Sequence, residues 1–309
     1  MLDHRVSRRT RVRDTIGYWL SALSSHFFNR FPLYDYGLDS PTLTRIACRH
    51  SPLAGRRAVQ LSDLHLDSYK PRHDAILNTI AELNPDWIFI TGDLLNIPRG
   101  LPHLFRFLSG LRALAPVYLT LGNHDHASGV PLDRFVELAD RHKLHLLMNQ
   151  AVFIPMPSGE LAISGLDDPS THRADLRCIP SPMPGRFTIL LAHAPNVLDL
   201  LDSGHAVDLI LCGHSHGGQW RFPIIPPFWL PYGCKGRSHG HYHQNGHTMH
   251  VNRGIGWSLL PIRWNCAPEI VLIEWTEGAV ADAKQRINEK PIPPTLRPQA
   301  PHRSFPSFS

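Results

Sequence analysis

No stretch of 18 consecutive residues in this 309-residue chain is apolar, and no apolar run near its start is followed by a small-residue cleavage site. The first lack excludes a membrane-spanning helix and the second a secretory leader. The sequence thus predicts a chain that is neither secreted nor integral to a membrane. Cysteine is scarce: Cys48, Cys178, Cys212, Cys234 and Cys266 are far apart and form no C-x-x-C pair. That spacing argues against a disulfide framework and a structural zinc knuckle, and for a reducing compartment. No internal repeat is found. The net charge of +5 and pI near 9.1 are mildly basic, yet the excess sits at Arg5, Arg8, Arg9, Arg11 and Arg13. No basic stripe with interleaved aromatics crosses the middle, which disfavours nucleic acid as a partner.

What is present is a 42% hydrophobic chain, enough to bury a substantial core. After the basic residues 1–13, apolar positions recur at Ile16, Trp19, Leu20, Leu23, Phe27 and Phe31, the spacing of an amphipathic helix closed by Pro32. An arginine cluster before an aromatic-rich apolar face is the pattern of a helix lying on anionic lipid. The alternative is a helix packed on the domain. After a loop predicted near Pro41 to Pro52, short apolar runs end in polar residues. Arg57 to Leu61 leads into Ser62-Asp63, Trp87 to Ile90 into Thr91-Gly92-Asp93, and Val117 to Leu121 into Gly122-Asn123-His124. Helical segments are predicted between them at Pro71 to Leu83 and Leu101 to Leu114, and another follows at Leu132 to Arg141. Strict alternation of strand and helix means an α/β domain with its chemistry at the carboxyl ends of the strands.

Further strands are predicted at Leu144 to Leu147, Val152 to Ile154 and Leu161 to Ile163, then a proline-rich loop from Asp167 to Gly185. Phe187 to Leu191 runs into Ala192-His193, a helix is predicted near Asn196 to Leu201, and Leu209 to Cys212 runs into Gly213-His214. Late strands are predicted at Met249 to Asn252 and Ile270 to Trp275. Six prolines among Pro291 to Pro306 predict a mostly disordered tail beyond Arg286.

The candidate chemistry lies in five stretches. Asp63 and His65, two apart at a strand end, project from one face and can grip one ion. Asp93, on the sharp turn that Gly92 allows, offers two oxygens with which to bridge two cations. Asn123 brings a carbonyl oxygen, and His193, His214 and His216 bring imidazoles. This mixed N/O set suits Mn, Fe, Zn or Ni over Ca or Mg. With 21 histidines in the chain, each alone means little; their order at strand ends carries the reading.

The pattern D-x-H, G-D, G-N-H-D, H and G-H-x-H from Asp63 to His216 resembles the calcineurin-like metallophosphoesterase family, with no member missing. The resemblance implies two facing mixed β-sheets flanked by helices, a four-layer sandwich over about residues 46–285. Around it lie a basic N-terminal segment, 1–45, and the tail, 286–309. It implies two divalent metals, manganese the first choice, one held by Asp63, His65, Asp93 and His216 and the other by Asp93, Asn123, His193 and His214. The expected activity is hydrolysis of a phosphodiester or pyrophosphate bond by a hydroxide bridging two cations about 3.5–4 Å apart. His124, beside a ligand but not one in the family pattern, would stabilise the transition state or protonate the leaving oxygen, and Asp125 would orient it.

Gly217-Gly218-Gln219, Tyr232-Gly233, Arg253-Gly254-Ile255-Gly256 and Pro261-Ile262-Arg263-Trp264-Asn265 are similar to a membrane-linked bacterial subgroup of that family. The subgroup includes broad phosphodiesterases and the chlamydial-type UDP-2,3-diacylglucosamine pyrophosphatase of lipid A synthesis. Independently, Trp220, Phe222, Ile224, Ile225, Phe228, Trp229, Leu230 and Tyr232 crowd a segment broken by four prolines. Such a loop suits an acylated substrate or a lipid surface; its alternative is core packing. Lys235, Arg237 and His239 follow and suit a pyrophosphate or plain solvent, and Arg253 joins Lys235 and Arg237 as a candidate substrate contact. The expected substrate is UDP-2,3-diacylglucosamine, giving UMP and lipid X, at the cytoplasmic face of a bacterial inner membrane. A general phosphodiesterase or nuclease is the alternative, and a non-catalytic scaffold is disfavoured because every ligand is kept.

Overall fold

The computed structural model describes residues 38–222, 227, 229–278 and 287–291, together with Leu23, which is helical and exposed. The rest of the amphipathic helix expected over 14–31, and the chain beyond 291, lie outside the described residues. Among those described, no helix is long and apolar enough to cross a membrane.

Two sheets make the body. The first holds β1 (Thr42–Arg49), β2 (Arg57–Leu61), β3 (Trp87–Thr91), β4 (Val117–Thr120), β5 (His145–Leu146), β12 (Glu269–Thr276) and β13 (Ile287–Pro291), in the order β13-β1-β12-β2-β3-β4-β5. The second holds β6 (Gln150–Met156), β7 (Gly159–Gly165), β8 (Arg186–Leu191), β9 (Leu209–Cys212), β10 (Gly240–Gln244) and β11 (His247–Val251), in the order β10-β11-β9-β8-β7-β6. Strands β2 to β5 are parallel, as are β7, β8, β9 and β11, while β12 runs antiparallel to β2.

Alternation along the strands deals side chains to separate cores. In the first sheet Phe89, Tyr118, Val271 and Trp275 point toward the second sheet, where Ile163, Phe187, Ile189 and Leu209 meet them. Their neighbours Ile88, Ile90, Leu119 and Leu272 point outward onto three helices, α1 (Pro71–Leu83), α2 (Leu101–Arg112) and α4 (Leu132–Arg141), which follow β2, β3 and the short α3 (Asn123–Ala127). Both faces of these strands are covered, so they read as continuous apolar runs rather than alternating ones. The second sheet turns Leu190, Ile210 and Met249 outward onto Val197, Leu198 and Leu201. The expected four-layer α/β sandwich is present.

Three local expectations need correction, and one strand was not foreseen. The segment predicted as a loop near Pro41 to Pro52 contains β1, which pairs in parallel with β12 across more than 200 residues. The chain immediately beyond Arg286, predicted to be disordered, forms β13 against β1 over residues 287–291. The polar stretch Gly240–Gln244 is a strand because it finds β11 as a partner. The helix predicted near Asn196 to Leu201 is a 3-10 turn, Pro195–Asp199.

Candidate metal centre

Strands β2, β3 and β4 of one sheet and β8 and β9 of the other end at the same rim, and each carries one of the five stretches just past its last residue. Asp63, His65, Asp93, His214 and His216 all have positive φ, from 40° to 71°. Left-handed backbone at five non-glycine positions is strained and clusters where function requires it. Close approach is demanded as well: a Cβ at Gly92 would stand 2.5 Å from the His193 ring, and one at Gly213 would collide with Ser62 and Asp63.

The side chains converge into two overlapping groups. Asp63, His65, Asp93 and His216 form one; Asp93, His193 and His214 form the other; within each, the donor atoms lie within 4.8 Å of one another and every residue is buried. Asn123 joins the second group, its Oδ1 2.9 Å from His193 Nε2. All seven ligand candidates are thus together, and Asp93 is common to both groups. His124 stands outside both, half-buried, with its ring edge-on to His65 at 4.8 Å and its backbone N–H donating to Asp93 Oδ1 at 2.9 Å.

The tautomers decide what this pocket holds. His193 Nδ1 lies 2.9 Å from the Thr91 carbonyl, and His214 Nε2 lies 2.6 Å from the Tyr232 carbonyl. A carbonyl only accepts, so those nitrogens carry the protons. The facing atoms, His193 Nε2 and His214 Nδ1, are 3.0 Å apart, a contact that needs either a proton or a cation between them. His65 Nε2 and His216 Nε2 lie 3.1 Å apart. Two buried carboxylates add to the demand for positive charge. Burial opposes a charge on His193, but Asp93 and Asp63 overrule it and hold its pKa up to about 10. Burial also works against ionised Asp93, yet His193, His124 and His65 keep its carboxyl well below the usual range. The donor chemistry fits two divalent cations sharing Asp93, with carbonyl contacts that fix the His193 and His214 imidazoles as in metal sites generally.

Asp125, expected to orient His124, has its carboxylate turned to the backbone. Its Oδ2 accepts from Gly122 N at 2.8 Å and its Oδ1 from Leu94 N at 2.8 Å and Leu95 N at 3.2 Å. The carboxylate ties the β3 and β4 end loops together, a structural duty. Two candidate substrate contacts are likewise committed elsewhere. Arg237 forks onto Asp199, with Nη1 2.9 Å from Oδ2, and donates to Gln244 Oε1 at 2.9 Å. Arg253 is buried against Glu269, its Nε 3.3 Å from Oε2. Lys235 is exposed beside a cavity of about 460 Å³ lined by Pro169, Asn196 and Tyr232.

Sequence reasoning missed several neighbours of the centre. Asp168 is fully buried and caps the 3-10 turn Pro169–Thr171, and its charge acts on His124, His193 and His214. His126 Nε2 meets Asp167 Oδ1 at 2.5 Å. Arg263, buried, donates to the Gly256 and Arg253 carbonyls and places Nη2 3.4 Å from His216 Nδ1. None of these has motif spacing; the adjacent carboxylates Asp167-Asp168 after a strand are the one signal that could have been read.

Fold and donor geometry together define a metal-dependent phosphoesterase. Residues 56–218 match the calcineurin-like phosphoesterase family, and the chain belongs to it. Among its relatives, the uncharacterized metallophosphoesterase YkuE of Bacillus subtilis is 32% identical over 225 residues, covering 71% of this chain and 78% of YkuE. Phosphodiesterase YaeI of Escherichia coli is 31% identical over 220 residues, covering 69% and 80%. A dimetal phosphatase from Danio rerio aligns in structure over 65% of this chain and 88% of its own, at 12% identity and a TM-score of 0.41, an overlap that carries no argument by itself. As a member of the family the protein is a hydrolase of phosphoester bonds.

Proposed function

We propose that the protein cleaves a phosphodiester or pyrophosphate bond at a dinuclear centre held by Asp63, His65, Asp93, Asn123, His193, His214 and His216. The observation that carries this is the sharing of Asp93 between two buried donor groups. Divalent cations, manganese being the first choice for this mixed N/O set, supply Lewis acidity and a lowered pKa for the attacking water. The protein's own residues do the rest. His65, His193 and His214 present fixed lone pairs; Asp93 holds the two sites in register and anchors the backbone at His124. Burial pushes the His124 pKa down, so at neutral pH its ring is uncharged and gives one N–H to the leaving oxygen.

The substrate reading is a lipid-linked nucleotide, UDP-2,3-diacylglucosamine being the candidate. Its support is an apolar surface made of exposed aromatics: Phe222 is 44% exposed, Tyr232 40% and Trp264 49%, with Phe222 and Trp264 edge-on at 4.8 Å. Tyr232 also belongs to the centre through its carbonyl bond to His214. Exposed aromatics of this kind suit acyl chains or a lipid surface. The basic N-terminal segment would hold the protein at the inner face of the bacterial inner membrane, and loss of residues 1–32 should abolish co-sedimentation with anionic vesicles. A general phosphodiesterase is the second reading, favoured by the name of the YaeI relative. Metal-loaded protein assayed on UDP-2,3-diacylglucosamine, bis-p-nitrophenyl phosphate and single-stranded DNA separates the two. UMP release from the first alone supports the lipid reading, and turnover of only the others ends it.

A further inference from the structure

The outer nitrogens of His193 and His214 are held by backbone carbonyls and that of His216 by the Arg263 guanidinium, whereas that of His65 meets a side-chain amide. Its Nδ1 lies 2.8 Å from Asn96 Oδ1. An amide can present oxygen or nitrogen, so this contact alone leaves the His65 tautomer open. The next link closes it. Asn96 Nδ2 donates to Asp67 Oδ2 at 2.8 Å, and a carboxylate only accepts, so the amide nitrogen must face Asp67 and the amide oxygen must face His65. Asp67 is itself held, its Oδ1 accepting from Asn96 N at 2.8 Å and Ile97 N at 3.2 Å. Asp67 is 4% exposed and Asn96 5%.

We infer that Asp67 and Asn96 are positioning residues that set the tautomer of His65, so that Nδ1 carries the proton and Nε2 turns its lone pair into the centre. The inference rests on the dinuclear reading above and deepens it. The direction of bonding runs from imidazole N–H to amide oxygen and from amide N–H to carboxylate. Asp67→Asn breaks this polarity without removing a cap: its Oδ1 still accepts from the two backbone N–H groups, but its Nδ2 now opposes Asn96 Nδ2. The Asn96 amide flips, offers its nitrogen to His65 Nδ1, and forces the proton onto Nε2, which then cannot bind a cation. Asn96→Asp alone sets two buried carboxylates against each other. The double variant Asp67→Asn with Asn96→Asp restores every donor to an acceptor: the amide at position 67 donates to the carboxylate at 96, which accepts from His65 Nδ1.

The test is titration of the full-length protein with Mn²⁺, free Mn²⁺ being read by electron paramagnetic resonance, alongside long-range ¹H–¹⁵N spectra of the histidine rings. The native chain should bind two ions. Asp67→Asn should weaken one of them by about 10–100-fold, as loss of a contact behind a metal ligand generally does, with melting temperature nearly unchanged and the His65 proton moved to Nε2. The double variant should regain the native affinity and tautomer. If the native chain binds two ions and Asp67→Asn binds both as tightly, or if the double variant is no better than the single ones, the inference is overturned while the metal reading stands. Should the native chain bind no Mn²⁺, the metal reading itself fails and takes the inference with it. Were Asp67→Asn to misfold, recovery of fold and of both ions in the double variant would still uphold the bonding polarity, and its absence would refute it.

Discussion

Two clusters of buried histidine and carboxylate lie side by side at the rim of the sandwich, joined by the loop from Asn252 to Gly256. Ile255 N and Gly256 N donate to the Ser62 and Asp63 carbonyls on one side, and Glu269 N donates to the Gly254 carbonyl on the other. In the first cluster, imidazole nitrogens meet at 3.0 and 3.1 Å around Asp63 and Asp93. In the second, His250 Nδ1 and His241 Nε2 meet at 3.1 Å beside Glu269. By distance the two look alike, and charge tells them apart. Glu269 has a resident cation: Arg253 donates from its backbone N at 2.9 Å and stands at 3.3 Å through Nε, while Thr44 Oγ1 donates at 2.5 Å. Asp63 and Asp93 are met by imidazoles and backbone amides, and the one guanidinium nearby, Arg263, acts on Asp63 from behind His216 and donates to backbone carbonyls. Buried charge must be paired or coordinate a metal. The Glu269 cluster is complete within the chain, whereas the Asp93 centre is arranged for cations from outside. Histidine density is therefore a poor sign of a metal site, and buried carboxylate met by imidazoles rather than by its own arginine a better one.

The comparison is broken or sharpened first at Asp93. Asp93→Asn should cost both ions and reduce phosphodiester hydrolysis to background, measured as metal per chain after dialysis and as release of p-nitrophenol. Retention of both ions would mean that Asp93 does not join the two groups. His124→Ala should keep two ions and lose about 10²–10⁴ in kcat. Metal loss equal to that of Asp93→Asn would place His124 among the ligands instead.

In the second cluster the expected loss is of stability rather than of metal. Glu269→Gln leaves the Arg253 guanidinium buried without its carboxylate, at a cost of about 3–5 kcal/mol in denaturant unfolding, with two ions still bound. Burial works to raise the Glu269 pKa, but His250, Arg253 and Thr44 together hold it far below the usual carboxylate range. A depressed pKa contributes stability that is present above the unfolded value of about 4.3 and lost as pH falls below it. The native chain should therefore lose stability through that acid window, and Glu269→Gln should show a flatter acid limb. An unchanged limb would mean that the pair is not what stabilises this corner.

The first cluster was legible in the sequence and the second was not, for a physical reason. Residues such as Asp63, Asp93, Asn123 and His193 follow apolar runs that are buried on both faces, so strand ends and donors are marked together. Arg253 and Glu269 are separated by no telling spacing, and Thr44 lies on a strand made by its pairing with β12 and β13. The strand β10, with two histidines and a glycine in five residues, is likewise made by its partner. The backbone bonds of Asp125 were not legible because adjacency to His124 says nothing of direction, and its carboxylate turns to the β3 end loop. Arg237 was misread because its carboxylate, Asp199, comes from a turn 38 residues earlier. Asp67 and Asn96 lie two and three residues beyond ligands, too common a spacing to signal a chain of bonds.

The smallest expected effect is the sharpest discriminator. His241 touches His250 at the edge of the second cluster, and burial, followed by the charge of His250, pushes its pKa down to about 3. It is neutral at physiological pH and adds no charge to the pair that Arg253 and Glu269 make. His241→Gln then removes one neutral contact to His250, worth about 1 kcal/mol in unfolding free energy. Metal per chain should stay at two, and kcat should stay native, because no donor of the Asp93 centre is touched. A third ion in the native chain that disappears in His241→Gln would show the 3.1 Å contact to be a metal signature after all, and the charge criterion that separates the two clusters would fall.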